Sequence, residues 1–117
     1  MADTPQKIVF IVHSVLGKRI RFTETQWRHI RKWQEMQSQT ERMQETLAEP
    51  DVVYYVQGED TYHYYRFYPQ TPVSSKHMLV IVKHLDGEGF IITCFYARRI
   101  SKPEKVLVYE SHSQKLH

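Results

Sequence analysis

The chain has 117 residues, 41% of them hydrophobic and 25% charged, and a net charge of +3. That length allows one domain with a single core, and no run of about 18 apolar residues provides a membrane-spanning helix. The lone cysteine, Cys94, excludes an intrachain disulfide and fits a reducing cytoplasm, while scattered histidines without paired ligand spacing leave metal and other cofactors unexpected.

In chain order, "KIVFIV" near the N-terminus is short, β-branched and aromatic, which predicts a first strand rather than a signal peptide. "GKRIRF" suits a second short strand after a turn at Gly17. Thr23 followed by Gln26 forms a capping-box pattern, and a helix is expected from about Glu24 to Met36. Its apolar stripe is Trp27, Ile30 and Trp33, with His29 on the stripe's boundary and four residues before Trp33. A second helix is expected over about Gln39 to Ala48, with Met43 and Leu47 inward and Pro50 ending it. Strand-like segments follow: "DVVYYVQ", "TYHYYRFY", "HMLVIVK" and "FIITCFYA", with turn signals at Gly58 and Asp86-Gly87. "KVLVYE" offers a last short strand.

The pattern predicts an α+β fold: two N-terminal helices packed on one face of a four- to five-stranded antiparallel sheet. Residues 1–110 form the expected domain and 111–117 a polar C-terminal tail. "MLVIV" is apolar at five successive positions, as in a central strand covered on both faces.

Charge is unevenly distributed. Between Lys18 and Lys32 stand six cations and one acid; between Glu41 and Asp60 stand six acids and one cation. Arg98, Arg99, Lys102 and Lys105 make a second basic cluster. Two basic patches on a small domain suit a polyanionic partner, or are simply solvated.

His29 has two readings, a structural residue at a core edge or a proton-transfer group in a phosphate-attracting field. Alternation in "TYHYYRFY" places Tyr62, Tyr64, Arg66 and Tyr68 on one face and His63, Tyr65 and Phe67 on the other. Tyr64 on such a face could stack on nucleotide bases, with Arg66 on phosphate; equally, tyrosine suits a half-wet sheet. Lys83 could clamp a phosphate or simply snorkel at a strand end. The Thr93 hydroxyl, in an otherwise apolar strand, needs a partner.

The order of "RFTETQWRHI…QE", "TLAEPDVV", "YYRFY" and "MLVIVKHLDGEGFIITCFYARRI…EKVLVY" over residues 20–109 resembles the barnase/EndoU/colicin/RelE-like nuclease superfamily of bacteria and phages. The resemblance matches His29 to the family's helix histidine, Pro50 and Asp51 to its helix-ending turn, Lys83 to its strand lysine and Thr93 to its threonine. It departs where Trp33 and Phe95 replace a histidine and a tyrosine. It implies an α+β, toxin-type, metal-independent ribonuclease, with RNA as substrate and a cognate antitoxin or immunity protein as a further partner. His29 would then take the proton of a ribose 2′-OH that attacks the adjacent phosphate. Arg66 and Lys83 would stabilise the developing charge, Thr93 would bond a phosphate oxygen, and Arg28, Arg98 and Arg99 would hold the backbone. The alternative keeps the fold without the chemistry, as an RNA- or protein-binding module. The convergence of His29, Arg66, Lys83 and Thr93 in one cleft separates the two.

Overall fold

Two β-branched segments on either side of a tight turn begin the fold: β1 (Ile8–His13) and β2 (Arg19–Thr23) pair antiparallel. Gly17 takes φ +79° in that turn, a conformation a side chain would strain. The computed structural model describes residues 7–32, 36, 38–101 and 104–111.

Thr23 is extended and its Oγ1 accepts from the Gln26 N–H at 3.4 Å, so the expected cap opens helix α1 (Glu24–Ile30). The Arg31 N–H donates to the Trp27 carbonyl and closes the last turn at Ile30, earlier than the expected Met36. Residues 33–35, including the stripe residue Trp33, lie outside the described residues; Met36 is fully buried in the core. α2 (Thr40–Ala48) buries Met43, Thr46 and Leu47, and ends just before Pro50.

The remaining strands are β3 (Val52–Val56), β4 (Thr61–Phe67), β5 (His77–Leu85), β6 (Glu88–Ala97) and β7 (Lys105–Glu110). β3 to β6 form an antiparallel meander, as their turn signals predict. The whole sheet has seven strands in the order β1-β2-β6-β5-β4-β3-β7 and is mixed, because β2 runs parallel to β6. The expectation of four to five antiparallel strands is corrected on both counts. Alternation marks a strand but not its neighbour, and the long excursion between β2 and β6 is what permits a parallel pair. Gly89 makes that approach possible: a Cβ there would lie 2.6 Å from Ile20 Cδ1 and 2.9 Å from the Lys83 carbonyl oxygen.

One face of the sheet carries the main core, where Ile20, Phe22, Val53, Tyr64, Val80, Val82 and Ile91 meet Ile30, Met43 and Leu47 of the helices. A smaller cluster of Val52, Tyr54, Tyr65 and Leu79 lies on the other face, which holds no helix among the described residues. β5 is central and contributes to both, as its continuous apolar run predicts. Ser111 donates its N–H to the Asp51 carbonyl at 2.8 Å, so the expected tail starts as an extension of the sheet edge; 112–117 lie outside the described residues. Among the described residues no helix is long and apolar enough to cross a membrane.

Candidate functional site

β2 stops at Thr23, and its register with β6 ends at the pair Arg21 and Phe90. The chain then turns into α1, which runs beside the next stretch of β6. Trp27 and Ile30 anchor the helix to the main core, with the Trp27 ring edge-on to Phe22 at 6.0 Å. That anchoring turns Gln26, His29 and Lys32 toward β6. Gln26 and His29, three residues apart, stack on one side of the helix, and Lys32 follows in the turn after it.

His29 and Thr93 line the same depression, about 560 Å³ in volume, together with Gln26, Lys32 and Ile92. A slip of register between Ile81 and Val82 pairs them with Thr93 and Ile91 and leaves Ile92 as an extra residue. This bulge bends β6 at the depression. Thr93 is half-buried, and its hydroxyl bonds to no described residue. The side chains of His29, Lys32 and Gln26 likewise make no hydrogen bond to a described residue.

Two further depressions join this one. The first, about 270 Å³, shares Gln26 and adds Arg21, Thr23, Phe90 and Ile91. The second, about 460 Å³, shares Lys32 and adds Trp27, Arg28 and Arg31. Together they form a trough with four cations and no acid in its lining. Its rim is partly neutralised, since Arg21 lies 3.4 Å from Glu88 and Arg28 3.1 Å from Glu24. Such a trough attracts a polyanion and offers an imidazole, an ammonium and a hydroxyl around one position.

The other expected residues are dispersed. Lys83 pairs in register with Phe90 and, by alternation from the core residue Val82, shares the helix-free face with Thr93. Its ammonium turns away, to Asp60 at 2.9 Å, and Asp60 also accepts from Tyr55 at 2.9 Å. The lysine is the first cause of the lowered Asp60 carboxyl pKa. Arg66 lies on the helix face, donating to the Glu49 carbonyl, 3.6 Å from Glu45 and over the ring of Tyr68. It does not join His29 and Thr93. Arg98 and Arg99 are exposed beyond the end of β6, about 17 Å along the strand from Thr93.

Tyr64 requires a correction. The expected alternation holds, but the face that carries Tyr64 is the one the helices cover. The side chain is 0% exposed, its hydroxyl 3.0 Å from His84 Nε2, so no base can stack on it. Burial pushes its phenol up to about 12. Tyr96 supplies no hydroxyl beside Thr93 either, because it points to the helix face and contacts Gln39 and Arg42.

Gln26, Lys32 and Phe90 were not expected in the site. The spacing 26, 29, 32 was a usable signal for the first two; Phe90 needed the β2–β6 pairing, which no local pattern reveals. Among the described residues no group of three or more His, Cys, Asp or Glu side chains is arranged to hold a metal ion.

The fold and the trough together define an α+β protein with an open, mixed, mostly antiparallel sheet and a basic groove at one helix–strand seam. No family model, no curated protein and no solved structure matches the chain.

Proposed function

We propose that this chain is a metal-independent ribonuclease of the toxin type, with its site in the seam between α1 and β6. The observation that carries this reading is the shared depression of His29, Lys32 and Thr93 within an acid-free basic trough. His29 takes the proton from a ribose 2′-OH. The 2′-oxygen forms a bond to the adjacent phosphorus, the bond from phosphorus to the 5′-oxygen breaks, and that oxygen takes a proton from solvent. The products are a 2′,3′-cyclic phosphate and a 5′-hydroxyl. Lys32 takes the charge-stabilising role expected of Arg66, and the Thr93 hydroxyl donates to a phosphate oxygen. Arg28 and Arg31 hold the flanking backbone. A cognate antitoxin or immunity protein with an acidic face would cover the same trough.

A second reading, an RNA-binding module without cleavage, is favoured because the four expected residues do not converge: ion pairs engage Arg66 and Lys83 away from the depression of His29 and Thr93. One assay separates them: incubation with single-stranded and structured RNA in EDTA, with analysis of product ends. Cyclic phosphate ends that disappear in His29→Ala support the enzyme. Intact RNA that is nonetheless bound supports the module, and RNA neither bound nor cut removes both.

A further inference from the structure

The depression around His29 and Thr93 has a neighbour of different chemistry. The depression of Arg21, Thr23, Gln26, Phe90 and Ile91 brings together an aromatic residue and a residue with a primary amide. Phe90 is only half-buried, although it stands in the middle of the sheet. It faces away from the main core: its neighbours Gly89 and Ile91 are buried on the helix side, and β-alternation puts Phe90 on the other.

Across the sheet Phe90 is flanked by Arg21 on β2 and Lys83 on β5. Lys83 is held by Asp60, and Arg21 shares the Glu88 carboxylate with Arg19, which lies closer to it at 3.1 Å. The ring is therefore bordered on the β5 side by a neutralised pair and on the β2 side by two arginines sharing one carboxylate. The half-buried ring itself offers a flat face on which a planar group can stack. Thr23 is occupied as the helix cap, so its oxygen already has a donor. Gln26 is different: it lines both depressions, and its amide hydrogen-bonds to no described residue.

We infer that this depression is a nucleobase subsite, in which a purine, adenine foremost, stacks on Phe90 and is read by the Gln26 amide while the adjoining phosphate sits between His29, Lys32 and Thr93. The inference rests on the proposed RNA substrate and names the base next to the phosphate. Its spacing fits. Gln26 lines both depressions and stands three residues before His29, about 4.5 Å along the helix axis, so the two subsites adjoin. A glutamine amide offers a donor and an acceptor side by side, which matches the amino group and ring nitrogen of adenine. Stacking on an aromatic side chain is stronger for the larger rings of purines.

The test uses fluorescent 2′-O-methyl hexanucleotides, which lack the attacking hydroxyl and stay intact whether or not the protein is a nuclease. Probes of adenosine, of uridine and of abasic residues with the same number of phosphates are titrated against the full chain at low salt. Adenosine is expected to bind tighter than uridine, and both tighter than the abasic strand. Phe90→Ala should weaken adenosine binding about 5- to 150-fold and leave the abasic strand unchanged. Phe90→Tyr, which keeps the ring, should restore it and guards against a folding defect. Gln26→Leu should reduce the preference for adenosine over uridine. If all three probes bind alike and Phe90→Ala has no effect, the subsite is overturned while the RNA reading survives. If no probe binds, both fall.

Discussion

Two regions of this molecule are built from nearly the same side chains. At the α1–β6 seam stand a histidine, a lysine and a hydroxyl: His29, Lys32 and Thr93. On the β3–β4–β5–β7 part of the sheet stand histidines, lysines and hydroxyls too. There Lys105 reaches His63 Nδ1 at 2.9 Å and the Tyr65 hydroxyl at 2.9 Å, Lys83 holds Asp60, and Tyr64 meets His84. At the second region each of these named side chains has an internal partner, although His77 Nδ1 on β5 is buried without a hydrogen bond; at the seam none of the three bonds to a described residue. Buried polar groups that satisfy one another hold a sheet together. The same groups left open in a depression are available to a ligand. Inventory therefore does not separate scaffold from site here, and partnership does.

The largest expected effect follows from that contrast. His29→Ala should lower the RNA cleavage rate by about 10²- to 10⁴-fold, the usual worth of a general base. It should barely move the melting temperature, because His29 is exposed and bonds to no described residue. Lys83→Ala, in the partnered region, should change cleavage by no more than a few fold. Equal losses in the two variants, measured on one RNA with EDTA present, would erase the distinction.

Ile30→Ala should cost about 2–5 kcal/mol of stability, since Ile30 is 2% exposed and ties α1 to the core. Activity should fall with it, because the helix positions Gln26, His29 and Lys32. Denaturant unfolding read beside the cleavage rate separates this loss from that of His29→Ala. An Ile30→Ala protein of unchanged stability would mean the seam is not held by this anchor.

Much of the fold was legible because burial imposes periodicity. The cap at Thr23, the inward Met43 and Leu47, the β3–β6 meander and the two-sided burial of "MLVIV" are all local patterns, and each appears where it was expected. The parallel β2–β6 pair, the addition of β7 beside β3 and the bulge at Ile92 are relations between distant segments, which alternation cannot encode. The same limit applies to the site. His29 and Thr93 were nameable from sequence, whereas Tyr64 and Arg66 were assigned to an open face that the helices in fact cover. A strand's two faces are distinguishable by sequence; which of them meets solvent depends on the rest of the chain.

The partnered region should also set the acid limit of the fold. Burial, with Lys18 adding to it, pushes His84 down to about 4, and burial lowers His63 and His77 as well. A histidine in the unfolded chain titrates near 6.5. Between about 6.5 and 4 the unfolded chain binds the extra proton, so stability should fall as pH drops through that window and lose nothing further from His84 below it. His84→Gln should flatten the decline. Tyr64→Phe, which removes the hydroxyl partner, should cost about 0.5–1.5 kcal/mol at neutral pH. A His84→Gln profile that overlays the parent's would show that this histidine is not neutral in the folded state.

The smallest expected effect concerns the reach of the seam. Arg98 and Arg99 are exposed at the end of β6, beyond the trough, and make no hydrogen bond to a described residue. They resemble Lys32 in bonding to no described residue but not in lining a depression. If a bound strand continues along β6, each arginine neutralises one phosphate, and binding should depend on salt more steeply because of them. For single-stranded RNA each phosphate contributes about 0.7 to the slope of log K against log salt. Replacing both by alanine should therefore flatten the slope by at most about 1.4, weakening binding evenly across base sequences. Lys105→Ala is the matched control, a cation from the partnered region, and should leave the slope alone. An unchanged slope in the double arginine variant would confine RNA to the trough itself, and a flatter slope in Lys105→Ala would carry the strand across the region that internal pairing appoints as scaffold.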